Sequence, residues 1–350
     1  MKYLKSIFVL LGIFNFISCS KDSIKPAVDY SDVLSNSTNQ VIINTYKDLN
    51  DKSKLLLIAI DQLKSNTSAG NLELARLAWR NSRIPWEQSE GFLFGPVDQQ
   101  GIDPSIDSWP VNVVDLDAVM ASPDVLNKTY VDALEGTLKG FHTIEYLLFG
   151  ENGNKQLAEF NTRQFEYLSA CTQSLNGSTQ QLFDAWRTEG QNFGKNLIEA
   201  GKLSSIYPSQ KSALQELVDG MITIADEVAN GKINDPFVQS DILKEESRFS
   251  ANSKADFADN IRSIKNIYLG SLDGSGSITG FYTLLHQSKV SLHQKIVNQI
   301  EAAIAAIESI PGTFTTAITL NRPAIQFSQD QVRALQLTLE SELKPFIDTF

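Results

Sequence analysis

From about residue 37 to residue 346 the apolar residues recur every three or four positions, and no stretch carries a run of alternating strands. That period lines them up on one stripe of an α-helix, and such stripes are buried when helices pack on helices. The expected fold class is therefore all-α. Val41, Ile42, Tyr46, Leu49, Leu56, Ile60 and Leu63 mark a first helix from Ser37 or Thr38 to about Lys64. A second covers roughly Leu72–Phe94; Pro85 should kink it and Gly95-Pro96 end it. Helical patterns resume at 113–121, 124–149, 162–200, 210–230, 255–269, 279–309 and 329–346. Residues 97–112 read as a loop folded onto the body, 240–248 have no clear period, and Phe314–Leu320 is β-prone enough to be extended. A chain of 350 residues suits one large domain or two ordinary ones. The pattern divides into two helical bundles packed together, residues 37–205 and 206–350.

The N-terminus is of a different kind. Lys2 and Lys5 precede the apolar run Ser6–Ile17, which is too short for a stable membrane span. Ser18-Cys19 and the polar Ser20–Ser23 follow, as in a bacterial lipoprotein signal. The expectation is a signal peptide at 1–18, a lipidated Cys19 and a tether at 19–36; an ordinary secretory signal is the alternative. Either exports the protein, and the first attaches it to a membrane of the cell envelope, in the periplasm or at the outer membrane. Lipidation leaves Cys171 as the one remaining thiol, so no intrachain disulfide can form. The net charge of −11 repels phosphate backbones and argues against nucleic acid as a partner.

Within Gly136–Gly150, His142 and Glu145 stand three positions apart on an otherwise apolar helical pattern, so their side chains share a face. An imidazole and a carboxylate converging in this way can bind a first-row divalent metal, or can form a buried hydrogen-bonded pair. Gly140 costs a helix interior about 1 kcal/mol relative to Ala, which is explained if another element presses against the backbone there. The second helix carries Trp79-Arg80, Arg83, Trp86-Glu87, Ser89 and Glu90. Glu87 and Glu90 again share a face, with Arg80 and Arg83 within reach of acids; a charged, solvated face is the plain alternative. His286 and His293, seven apart, would share one late helix, too far apart to chelate one ion unaided.

Three blocks in this order, Trp79–Pro96, Ile102–Pro110 with Asp107 and Trp109, and Gly140-Phe-His142-Thr-Ile-Glu145, resemble the imelysin family of exported bacterial helical proteins, often lipoproteins, defined by a GxHxxE motif. The resemblance implies two four-helix-bundle-like domains with the motif near their junction. It also implies a link to iron uptake, with outer-membrane components of that process as partners. Members were first described as metallopeptidases, yet zinc peptidases on helices typically use HExxH, which this chain lacks. The leading expectation is a divalent metal, iron or zinc, at His142 and Glu145, with Glu87, Glu90 or Asp107 as further oxygen ligands. Arg80, Arg83, Ser89, Gly140 and Trp109 would shape the site. A metal-dependent hydrolase with Glu145 or Glu90 as base, and a ligand- or partner-binding protein with a metal-free His142–Glu145 pair, remain as alternatives. On any of them, His142 and Glu145 should lie near Trp109 and face Arg83 and Glu90.

Overall fold

The structure is a computed structural model that describes residues 29–275, 279–286 and 289–350. The expected signal peptide (1–18) and residues 19–28 of the expected tether, Cys19 among them, lie outside the described residues. Among the described residues there is no strand. The helices that carry the argument are α1 (Ser31–Asn36), α2 (Ile43–Ser65), α3 (Ala69–Glu87), α4 (Gly140–Phe149) and α5 (Thr162–Trp186) in the first half. In the second half they are α6 (Gln210–Asp226), α7 (Ser253–Leu269), α8 (Val290–Glu308), α9 (Phe314–Leu320) and α10 (Arg322–Thr338). No described helix is long and apolar enough to cross a membrane.

The contacts fall into two groups. α2 packs on α3 and α5, and α4 on α3 and α5; α6, α7, α8 and α10 pack on one another around the second core. α3 also lies against α7, and the short turn Glu90–Phe92 beyond α3 sits against both α6 and α7. One apolar core runs through both groups. Trp86 in the last turn of α3 and Trp79 two turns before it are fully buried in that core, and a buried aromatic contributes several kcal/mol at ~25 cal/mol per Å². Glycine permits the junction: a Cβ on Gly220 of α6 would lie 2.2 Å from the Gly91 carbonyl.

Several boundaries differ from the sequence pattern. The tether ends sooner: α1 begins at Ser31 and continues through a π-helical segment, Ser37–Ile42, into α2, because Val33 and Leu34 have core to bury against. The second helix stops at Glu87 instead of Phe94, and Pro96–Gln99 and Asp103–Ile106 are short helices inside the expected loop. The expected helix 124–149 is broken into Lys128–Asp132, a 3-10 turn at Gly136–Leu138 and α4. Gly140 is thus at the start of a helix and not in its interior. Its φ is +74°, and a Cβ there would meet the Ile106 carbonyl at 2.3 Å, so the close approach inferred from the glycine is real. Phe314–Leu320 is helical, not extended: Thr313 caps it, and Phe314, Ala317 and Ile318 all turn inward at helical spacing. The local β preference yields to that burial. His286 and His293 belong to separate helices, Phe281–His286 and α8. Cys171 is free and buried on α5, as a small core residue.

Candidate functional site

The site is built where α3, the segment after Ile106, α4 and the second half meet. The Trp79 indole N–H donates to the Phe141 carbonyl at 2.9 Å and fixes α4 against α3. The Trp86 indole N–H donates to Asp107 Oδ2 at 2.5 Å and fixes the third element. These two indoles tie three segments to one another.

Arg83 lies between them, fully buried beneath the faces of Phe141 and Trp79, with its guanidinium carbon 5.0 and 5.9 Å from the ring centres. Its two terminal nitrogens pair with Asp107 and Glu87 and reach Glu246 at 2.9 Å, while its Nε lies 3.5 Å from Asp256. A second buried cation, Lys232, has its Nζ 2.9 Å from Glu90, 3.0 Å from Glu246 and 3.7 Å from Glu87. The Asn260 amide bridges Glu87 and Glu90, at 2.6 and 2.9 Å.

His142 and Glu145 do share a face. His142 Nδ1 lies 3.1 Å from Glu145 Oε2, and the other Glu145 oxygen accepts both the Ser250 amide and hydroxyl at 2.7 Å. Arg80 holds that same segment by donating to the Ser250 carbonyl at 2.8 Å, its charge over the Phe149 ring. A carboxylate anchored in this way orients the ring, with Nδ1 toward Glu145 and Nε2 toward Asp107 and Glu246. His142 Nε2 is buried without a hydrogen-bond partner, 3.0 Å from Asp107 Oδ1 and 3.8 Å from Glu246 Oε1.

Six carboxyl groups (Glu87, Glu90, Asp107, Glu145, Glu246 and Asp256) therefore share one buried region with Arg83, Lys232 and His142. Burial alone would push every carboxyl up. At Asp107 the neighbouring Arg83 and His142 outweigh it and hold the group well below the usual carboxylate range. Lys232, His142 and Arg83 likewise outweigh it at Glu246 and bring that carboxyl to about 2. Glu87 and Glu90 stay well above their ordinary value: burial, with Glu246 and Asp256 beside Glu87 and with Glu87 beside Glu90, exceeds what Arg83 and Lys232 return to Glu87 and what Lys232 returns to Glu90. Asp256 is raised by burial to about 6. His142 is itself pushed up despite burial, by Asp107, Glu145 and Glu246. The surplus negative charge must be met by protons or by a further cation. Two sets of ligand atoms lie within 4.8 Å of one another and could hold an ion: Asp107, His142 and Glu246, and Glu87, Glu90 and Asp107. One imidazole nitrogen among carboxylate oxygens suits a borderline divalent ion such as iron or zinc.

Of the residues singled out in the sequence, Arg83, Glu87, Glu90, Asp107, His142 and Glu145 converge, and Arg80 and Gly140 support them from behind. Ser89, in the turn just beyond α3, donates its hydroxyl to the Trp86 carbonyl instead of joining the cluster. Trp109 is half-buried and, among the described residues, joins none of the cluster's hydrogen bonds or ion pairs; Trp86 does the work expected of it. Glu145 faces Ser250 and His142, so Asp107 and Glu246 replace it beside the free imidazole nitrogen. Missed altogether were Lys232, Glu246, Ser250, Asp256 and Asn260, all from the second half. A weak signal existed on α7, where Asp256 and Asn260 recur at helical spacing beside Phe257, Ile261 and Ile264. His293 lies elsewhere, its Nδ1 3.1 Å from the Tyr268 hydroxyl.

Comparison with known proteins agrees with this architecture. The family model described as Imelysin matches residues 42–343. Iron-regulated protein A of Synechococcus elongatus is 29% identical over 313 residues, covering 88% of this chain and 84% of that protein. The crystal structure of a putative iron-regulated protein A precursor from Parabacteroides distasonis superposes with a TM-score of 0.83 at 27% identity, over 91% of this chain and 94% of that one. An imelysin-like protein from Psychrobacter arcticum shares the fold, with a TM-score of 0.74 at 16% identity over 90% and 94% of the two chains.

Proposed function

The chain belongs to the imelysin family, and on that premise we propose that it is an exported, lipid-anchored envelope protein associated with iron uptake, whose buried junction holds a divalent cation. The iron association is supported by the names of two relatives that cover most of the chain. Export and the anchor at Cys19 rest on the N-terminal sequence. The observation that carries the cation is His142 Nε2: buried, without a hydrogen-bond partner, and aimed at Asp107 and Glu246 while Glu145 and Ser250 fix the ring from behind. His142, Asp107 and Glu246 are the first ligands proposed, with Glu87 and Glu90 adjoining through Asp107. A bound ion would add positive charge where six carboxyls face Arg83, Lys232 and His142. Titration of iron(II) and zinc(II) into the chain and into His142→Ala, followed by calorimetry, tests this. Stoichiometric binding lost in the variant is expected; equal binding by both proteins, or none by either, overturns it.

A second reading has its own support. Arg83 and Lys232 are fully buried among the same carboxylates, so the cluster can close as an internally paired network with His142 protonated. The same titration then gives no heat with either protein. A hydrolase has the least geometric support: Glu145 is committed to His142 and Ser250, and Glu90 to Lys232 and Asn260. A chelator-sensitive activity abolished by Glu145→Gln would restore it.

A further inference from the structure

The described chain begins at Asp29, beside a short connection that crosses the surface between α5 and α6. Asp29 accepts from the Gln210 side chain at 2.7 Å, the Tyr30 amide donates to Gln210 at 2.8 Å, and Lys202 donates to the Ser31 hydroxyl at 3.0 Å. Tyr30 stacks on Phe350 with ring centres 4.5 Å apart. The exit point of the N-terminal segment is therefore pinned to one face of the molecule.

That face has an unusual composition for a chain of net charge −11. Leu203 is 77% exposed and Ile206 43%, on a connection whose backbone is tied down by Leu203 to Glu199, Tyr207 to the Ser204 hydroxyl, and Gly201 to the Tyr207 carbonyl. Tyr30, Phe350, Lys202 and Lys211, with the carboxylate of Asp29, line a groove of about 560 Å³ alongside. Exposed aliphatics held on a fixed loop, flanked by aromatic rings and lysines, are what sits at the boundary between headgroups and acyl chains.

We infer that the Gly201–Pro208 connection, through Leu203 and Ile206, rests on the surface of the bilayer that holds the lipid at Cys19. The inference builds on the lipid-anchored reading proposed above. Nine residues lie between Cys19 and Asp29, ten steps along the chain with a reach of at most ~35 Å, so this face stays near the membrane throughout the tether's range. At that local concentration a weak apolar contact is held intramolecularly. The domain then stands with a fixed side toward the lipid instead of tumbling on its tether.

The test uses the full, processed chain in vesicles of phosphatidylethanolamine and phosphatidylglycerol. Leu203→Cys and Ile206→Cys carry a polarity-sensitive fluorophore, as do Val114→Cys and Leu320→Cys, whose parent side chains are 79% and 76% exposed elsewhere. Cys171 is fully buried and stays unlabelled. Expected is a blue shift with quenching by brominated lipid at 203 and 206, and neither at 114 and 320. Equal signals at all four positions, or stronger ones at 114 or 320, overturn the inference while leaving the anchor intact. The mass of the mature N-terminus separates the two ideas: an unmodified Cys19 overturns the anchored reading and the membrane contact with it.

Discussion

Arg83→Met isolates the energetic role of the buried cations. The guanidinium is fully buried and shared among Asp107, Glu87, Glu246 and Asp256, so its removal strands charge already withdrawn from water. Methionine keeps much of the aliphatic stem and its packing on Phe141 and Trp79, leaving the charge as the main difference. Breaking a buried pair by deleting one partner costs about 3–5 kcal/mol, a large share of a typical stability of ~5–15 kcal/mol. With a urea slope near ~3 kcal/mol per M, the unfolding midpoint falls by ~1–2 M at neutral pH. Asp107→Asn in the same background identifies the cause, since Asp107 is held ionised largely by Arg83 and His142. Neutralising the stranded carboxylate should recover part of the loss, a coupling of ~2 kcal/mol in the double-mutant cycle. A midpoint shift below ~0.3 M for the single variant, or strictly additive losses in the pair, would refute the argument that the network is held together by this guanidinium.

Three further outcomes follow from the geometry. Gly140→Ala places a Cβ 2.3 Å from the Ile106 carbonyl at a φ of +74°; a loss of ~2–4 kcal/mol is expected in urea unfolding, and a neutral result would mean that the two segments separate freely. Lys155 is buried with its Nζ on the Leu147 carbonyl, and burial lowers it from 10.5 to about 8. The unfolded chain holds that proton up to higher pH than the folded one, so stability rises between pH 8 and 10.5 by on the order of 2–3 kcal/mol; Lys155→Met should flatten that rise relative to the parent, and parallel curves would count against the depressed lysine. Iron(II) at a hundred times its dissociation constant should stabilise the chain by ~2.7 kcal/mol and leave the melting temperature of His142→Ala unmoved; equal shifts in both would place any bound ion elsewhere.

The helices and half of the cluster were legible in the sequence for the same reason: both depend on spacing within one segment. Periodicity located α2, α3, α5 and α6, and the i, i+3 pairs His142–Glu145 and Glu87–Glu90 were visible because a helix brings such residues together by itself. Glu246 and Lys232 had no such mark, since their partners lie on another part of the chain and each reads locally as an ordinary surface charge. Gly140 was informative and misread at once: its chemistry signalled a close approach, but its positive φ opens α4 instead of interrupting it. Trp109 looked like the pinning aromatic, and Trp86, hidden inside a charged-looking helix, fills that role through Asp107. Phe314–Leu320 shows the converse, a strand-like composition overruled once three apolar residues found the core.

The two halves need one another in a way that local structure does not express. Arg83, Glu87, Glu90, Asp107, His142 and Glu145 come from the first half, and Lys232, Glu246, Ser250, Asp256 and Asn260 from the second. Apart, the first set exposes Glu90 without Lys232 and Glu145 without Ser250, and each such charge would be solvated. Docking the halves removes all of them from water together, so it is favourable only if the cross-junction partners arrive in register. An ion bound by His142 and Asp107 from one side and Glu246 from the other would bind the docked state alone. By linkage, its affinity then appears in full as resistance of the junction to opening. Amide exchange at α7, with and without iron(II), reads that directly: slower exchange across the α3-facing turns is expected for the parent chain and absent in Glu246→Gln. Protection confined to α4 would mean that the ion is held by the first half alone, and that the junction serves the charge network and not the metal.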